Sequence, residues 1–250
     1  DLGAMNEAPR WVSVPGETPA ERAARRSLLG LDVAGRDILS RVIWGTRTSL
    51  LIGAAVVAIA SLIGVTLGCL AGYAGGLAEA LIMRLTDVLL AFPTLLLALA
   101  AVSIIPRPTM GHVALVLGLT GWPAICRLMR GQVLAIRDHD FVQAARALGA
   151  SHQAILLRHI LPNSIAPVVI WATMGVAGAV MAEASLSFIG IGVVDSTSWG
   201  TMIQEGLTKG DFPRIWWPVA FPAAALALLV LAFNLLGDGL QDALNPKLKG

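Results

Sequence analysis

Few side chains in this 250-residue sequence could bind a metal, move a proton or attack a carbonyl, and those few are scattered. His112, His139, His152 and His159 lack ligand spacing. Cys69 and Cys126 each sit inside an apolar run, so neither a metal site nor a disulfide framework is spelled out. There is no G-x-x-x-x-G-K-[ST] loop to cradle phosphates and no Ser–His–Asp grouping. One carboxylate stands apart: Glu183 is the single charged residue between His159 and Val194. An ionisable group in an apolar stretch is read first as functional, because desolvating it is costly. Glu183, with Ser187 one turn on, would line a pathway or hold a neighbouring helix through a hydrogen bond, the second being the preferred reading. Asp87 has Arg84 three residues earlier and is expected to pair with it.

The elements that must carry these residues follow from where charge is missing. The chain is 56% hydrophobic and 14% charged, with a mean hydropathy of +0.75. Ordinary globular domains hold about 45–50% apolar and about 25% charged residues. A soluble surface of this size needs more charge, disorder needs less hydrophobicity, and a net charge of +2 with dispersed arginines does not suit nucleic acid. Charge-poor runs about as long as a bilayer-spanning helix, roughly 20 residues, predict five spans. These lie at about 47–72, 82–105, 112–130, 164–190 and 216–236. The runs are too long and too unalternating for barrel strands. The expected class is an all-α polytopic membrane protein.

Trp44, Trp122, Trp199, Trp216 and Trp217 fall near the span ends, as an interfacial belt would have them. Small residues at four-residue spacing (Gly64, Gly68, Gly72, and Gly175 with Ala179) fit close helix packing or ordinary usage in spans. The divisions expected are an extracytoplasmic segment 1–46, a transmembrane unit 47–236 with a cytoplasmic loop 131–163 and an outer loop 191–215, and a cytoplasmic tail 237–250. Five arginines between Arg127 and Arg158 against Asp138 and Asp140 place that loop inside. The chain starts at Asp1 without a signal peptide, and five spans leave its termini on opposite sides, so a preceding span is expected.

The loop is the informative segment. Asp138 or Asp140 could N-cap a helix in which Phe141, Ala144, Ala145 and Leu148 follow i, i+3, i+4, i+7. Gly149 ends it as a C′ glycine would, and a second helix runs to Pro162. On spacing alone this is an interfacial connector or a helix that docks into a partner's groove.

Gln143-Ala144-Ala145, Gly149 and Leu161-Pro162 at this spacing resemble the EAA motif of ABC importer permeases. Gln143 stands where the motif usually has glutamate, and His159 where it has isoleucine. His159–Asn163, Leu29–Asp32 with Gly35-Arg36-Asp37 and Ser40-Arg41, Ala182–Phe188 with Gly190 and Gly192, Ser198–Gly200 and Phe233–Asp238 are all similar to the dipeptide/oligopeptide (and nickel) branch. The resemblance covers about residues 29–248. It implies a type I ABC importer transmembrane domain of six spans, the first lying before Asp1, in a bacterial inner membrane and surrounded by lipid. It implies a subunit that is not itself an enzyme, forming half of a pathway for di- or oligopeptides or, alternatively, for nickel, glutathione or haem. Its partners would be a second, non-identical permease, two ATPase subunits holding ATP and Mg2+, and an extracytoplasmic binding protein. Phe141, Gln143, Ala144, Ala145, Gly149 and Pro162 would couple to the ATPase; Asp195 and Trp199 in the outer loop would gate. The competing class is a secondary transporter or channel acting alone, which would favour inverted repeats, broken helices and several buried charges.

Overall fold

The computed structural model describes residues 5–12, 14, 16–25, 27–193 and 196–244, most of them helical. The helices are α1 (Pro19–Ala24), α2 (Ile38–Ala74), α3 (Gly76–Leu90), α4 (Thr94–Ser103), α5 (Met110–Ile136), α6 (Asp140–Ala147), α7 (His152–Ala154), a π-helical turn Ile155–Ile160, α8 (Leu161–Ser164), α9 (Ala166–Phe188), α10 (Trp199–Lys209) and α11 (Trp217–Leu244).

The α2–α5 pair is the spine. A Cβ on Gly64 would come 2.7 Å from Ile125, one on Gly68 2.6 Å from the Cys126 carbonyl, and one on Gly72 2.8 Å from Val133. Gly118 returns the contact against Ile59 at 2.7 Å. The partners climb in step, 59 with 118 and 72 with 133, so the two helices run parallel and touch backbone to side-chain root. Small residues permit that approach, and dispersion rather than hydrophobicity rewards it in lipid. α9 runs the other way along α2, where Gly53 faces Val180, and Gly237 of α11 packs on Met174 of α9.

Four helices, α2, α5, α9 and α11, are individually long and apolar enough to cross a membrane. The run expected as one span at 82–105 is not one rod: α3 and α4 meet at 82°. Pro93 has no N–H to give Leu89 and disfavours helical backbone at Phe92, so the helix stops and restarts. Charge patterning sees only that both halves are apolar. α2 is also longer than its expected 47–72, because the Asp37 carboxylate caps it by accepting from Ser40 N at 2.8 Å. Trp44 therefore lies within α2, and Trp122, expected at an interface, is buried against α2.

At one end, α2 and α5 share a core with the connecting segment: Met129 and Val133 pack with Val142, Ala145, Ile155 and Ile160. This is called the loop end. At the other, Ile38, Trp199, Met202 and Trp217 form a second cluster, here the clasp end.

Candidate functional site

At the loop end α6 starts after His139, which is its N-cap without a side-chain cap bond, so neither Asp138 nor Asp140 caps it. Asp140 occupies the first turn instead, where a carboxylate still favours the helix dipole. The expected single apolar face divides. Val142 and Ala145 are buried in the bundle, while Phe141, Ala144 and Leu148 are exposed, Leu148 at 88%. Facing the bundle with an i, i+3 pair turns the rest of the stripe outward. Gln143 is exposed and accepts from Arg146 Nη1 at 3.3 Å.

Gly149 ends α6 at φ +81°. Its N–H donates to the Arg146 carbonyl at 3.0 Å and the Ala150 N–H to Ala145 at 3.1 Å, the paired bonds of a Schellman turn. Ser151 then caps α7 by accepting from Ala154 N. The widened turn 155–160 ends two residues before Pro162, whose ring would crowd the Arg158 carbonyl in a regular α-helix. Pro162 itself is exposed. The segment is thus a short rigid knob, clamped to α2: the Tyr73 hydroxyl lies 2.8 Å from His152 Nδ1, and Arg137 Nη1 donates to the Gly72 carbonyl at 3.0 Å.

Asp87 does not pair with Arg84; it accepts from Arg127 of α5 at 2.5 Å, while Glu79 accepts from Arg130 Nε at 2.8 Å. A partner on the packed neighbour is nearer than one on the same helix face. Eight residues of α3, about 12 Å of helix, thereby meet three residues of α5, about 4.5 Å. Two ion pairs thus tie α3 to α5.

Glu183 is fully buried in α9. Ser187 Oγ donates to its Oε1 at 2.7 Å, and Ser198 Oγ approaches Ser187 Oγ at 3.4 Å, joining the carboxylate to the N-cap of α10. Glu183 Oε2 has no partner among the described residues. Gly192 and Gly200 seal the contact: a Cβ would fall 2.0 Å from Ser187 Oγ and 2.5 Å from the Ala184 carbonyl. Trp199 is buried, donates from Nε1 to the Val42 carbonyl at 3.0 Å, and so fixes α10 to α2. Asp195 lies outside the described residues.

The sequence reading assigned no chemistry to the ion-pair clasp nearby. Asp32 accepts from the amides of Ala34 and Arg36 at 2.8 and 2.9 Å, from Arg36 Nε at 2.8 Å and from Arg41 Nη1 at 2.5 Å. Arg36 and Arg41 also reach Glu205 of α10 at 2.7 and 3.0 Å. Burial acts to raise the Asp32 carboxyl, but those amides and guanidinium groups outweigh it and hold it below the usual carboxylate range. Asp32 and Arg36 were visible at i, i+4; Glu205, 169 residues from Arg36, carried no local signal. The clasp borders a cavity of about 530 Å3 between α2, α10 and residues 190–193 and 196–197, with Ser187, Gln204 and Lys209 also on its wall.

A family model described as binding-protein-dependent transport system inner membrane component matches residues 64–250. The chain is similar to the glutathione transport system permease protein GsiD of Pectobacterium atrosepticum, 45% identical over 222 residues, covering 88% of this chain and 73% of that protein. It is also similar to the di/tripeptide transport system permease protein DppC of Pseudomonas aeruginosa, 43% identical over 230 residues, covering 92% and 75%. Among solved structures it resembles the inward-facing MetNI methionine ABC transporter, with a TM-score of 0.65 at 18% identity over 83% of this chain and 98% of that one. That last likeness speaks to fold alone.

Proposed function

We infer the function from one premise: this chain belongs to the family of binding-protein-dependent transport system inner membrane components. It is a multi-pass membrane subunit with the fold of a type I ABC importer transmembrane domain, and a transport permease rather than an enzyme. We propose that its substrates are short peptides, two or three residues long, the class for which the relatives are named. Two ATPase subunits, which bind ATP and Mg2+, dock on the loop end from the cytoplasm; a second, non-identical permease completes the pathway; and a binding protein delivers peptide to the clasp end.

The observation that carries the ATPase contact is the divided face of α6. Val142 and Ala145 root the helix in the α5 core, while Phe141, Ala144 and Leu148 stand exposed with Gln143 beside them. An exposed apolar stripe on a rooted amphipathic helix fits a groove on a partner. Gly149 and Pro162 shape the ends of that knob. Glu183 and Ser187 serve helix packing at the clasp end, where their bonds reach the N-cap of α10; Trp199, bonded to α2, and Asp195 serve the outer gate.

The test is uptake of a labelled dipeptide into proteoliposomes holding the whole transporter, with binding protein outside and ATP supplied to the ATPase face. Uptake that requires ATP, and that Phe141→Asp with Leu148→Asp abolishes while the membrane subunits still co-purify, supports the reading. Uptake by this subunit without ATP overturns it in favour of a carrier acting alone.

A further inference from the structure

The end of α2 is joined to the knob by more than chain continuity. Tyr73, in the last turn of α2, meets His152, the first residue of α7, through a 2.8 Å hydrogen bond. Their rings also meet edge-on, with centroids 5.7 Å apart. At the preceding residue, Arg137, which caps α5, donates to the Gly72 carbonyl, and Gly72 is packed against Val133 with no room for a Cβ. Immediately past Tyr73 the backbone changes character: Gly75 and Gly76 both have positive φ, +64° and +57°, and a Cβ on either would meet at most one side-chain tip. The end of α2 is thus held to the knob by Tyr73 and to α5 by Gly72.

We propose that Tyr73 and His152 are positioning residues that fasten the knob to the α2–α5 pair, so that knob, α2 and α5 move as one body during transport. The inference rests on the importer reading and specifies which helices a docked ATPase moves first. Val142, Ala145, Ile155 and Ile160 anchor the knob in the core, and the Tyr73–His152 bond fixes the orientation of α7 between those anchors.

The experiment uses the complete transporter in proteoliposomes and reads peptide carried per ATP hydrolysed. Tyr73→Phe keeps the ring and removes the hydroxyl; His152→Ala removes the hydroxyl's partner; His152→Asn restores a hydrogen-bonding group near the Nδ1 position. Tyr73→Phe and His152→Ala each lower the transport-to-hydrolysis ratio about three- to tenfold with ATPase subunits still bound. The double variant is no worse than either single one, and His152→Asn recovers most of the ratio. A merely structural loss would lower hydrolysis and assembly together and would not be rescued by asparagine. In a second arm, with Cys69→Ala and Cys126→Ala as background, Tyr73→Cys and His152→Cys are joined by a short bis-maleimide, and the linked transporter keeps at least half its uptake. An unchanged ratio in both single variants, additive losses in the double, or uptake abolished by the link overturns the proposal. Absence of ATP-dependent uptake in the parent transporter overturns the importer reading itself, which the variants cannot do.

Discussion

At the scale of single residues, two positions separate conformational from steric demands. Gly149 holds φ +81° with open space where a Cβ would go, so its constraint is backbone strain alone. Gly149→Ala costs about 1 kcal/mol at the α6 terminus, and Gly149→Asn, which tolerates the left-handed region, costs less. Retention of ATPase subunits through detergent purification ranks the variants in that order, with the alanine variant weakened roughly fivefold. Glu183 poses the opposite case, a buried carboxylate with one oxygen bonded to Ser187 and the other unpartnered among the described residues. Glu183→Gln keeps the bonded oxygen and shifts stability by under about 1 kcal/mol, whereas Glu183→Ala orphans Ser187 and opens a cavity, costing about 2–4 kcal/mol. Thermal unfolding of the solubilised transporter distinguishes the two. The Gly149 turn was legible in the sequence because its determinants lie within five residues. The partner of Glu183 one turn away was legible too, but the sealing of that pair by Gly192 and Gly200 was not, since it depends on how α10 folds back over α9.

At the scale of elements, the glycine seam decides how α2 and α5 meet. A methyl at Gly68 would stand 2.6 Å from the Cys126 carbonyl and 2.7 Å from Met129 Cβ, both on rigid backbone or its root. Gly68→Ala forces the helices apart and lowers stability by about 1–3 kcal/mol. Gly131, on the same α5 but facing open space, accepts alanine with no loss, and side-by-side melting curves check the contrast. The four-residue spacing announced a packing face without naming its partner. The broken second span illustrates a different limit. Pro93 was plain to see, yet an 82° turn depends on what receives the two halves. Here α3 is tied across α5 by Glu79–Arg130 and Asp87–Arg127. The π-helical turn before Pro162 was invisible for a similar reason: spacing marks where a helix ends, not how its last turns widen to accommodate a ring.

Across the whole molecule, apolar run lengths disclosed four of the five expected spans as single long helices, because bilayer thickness sets their length; the contacts between distant segments had no such ruler. The Asp32–Arg36–Arg41–Glu205 clasp is the clearest instance and yields a pH prediction. Asp32 has its folded pKa held below the ordinary carboxylate value of about 3.9. The stability it contributes is complete above that value and is lost as pH falls through the lower, folded one. Wild-type transporter therefore keeps a constant melting advantage over Asp32→Asn from pH 7 down to about pH 4.5, and the advantage shrinks below about pH 4. Melting scans of the two proteins against pH check this. The clasp also sets a schedule for the chain's own biosynthesis. Asp32, Arg36 and Arg41 leave the ribosome almost together and can find one another at once, but Glu205 follows Arg36 by 169 residues. At about 5–20 residues per second that delay is on the order of ten seconds. The clasp therefore closes only after α10 has been made, with every spanning helix but the last already synthesised.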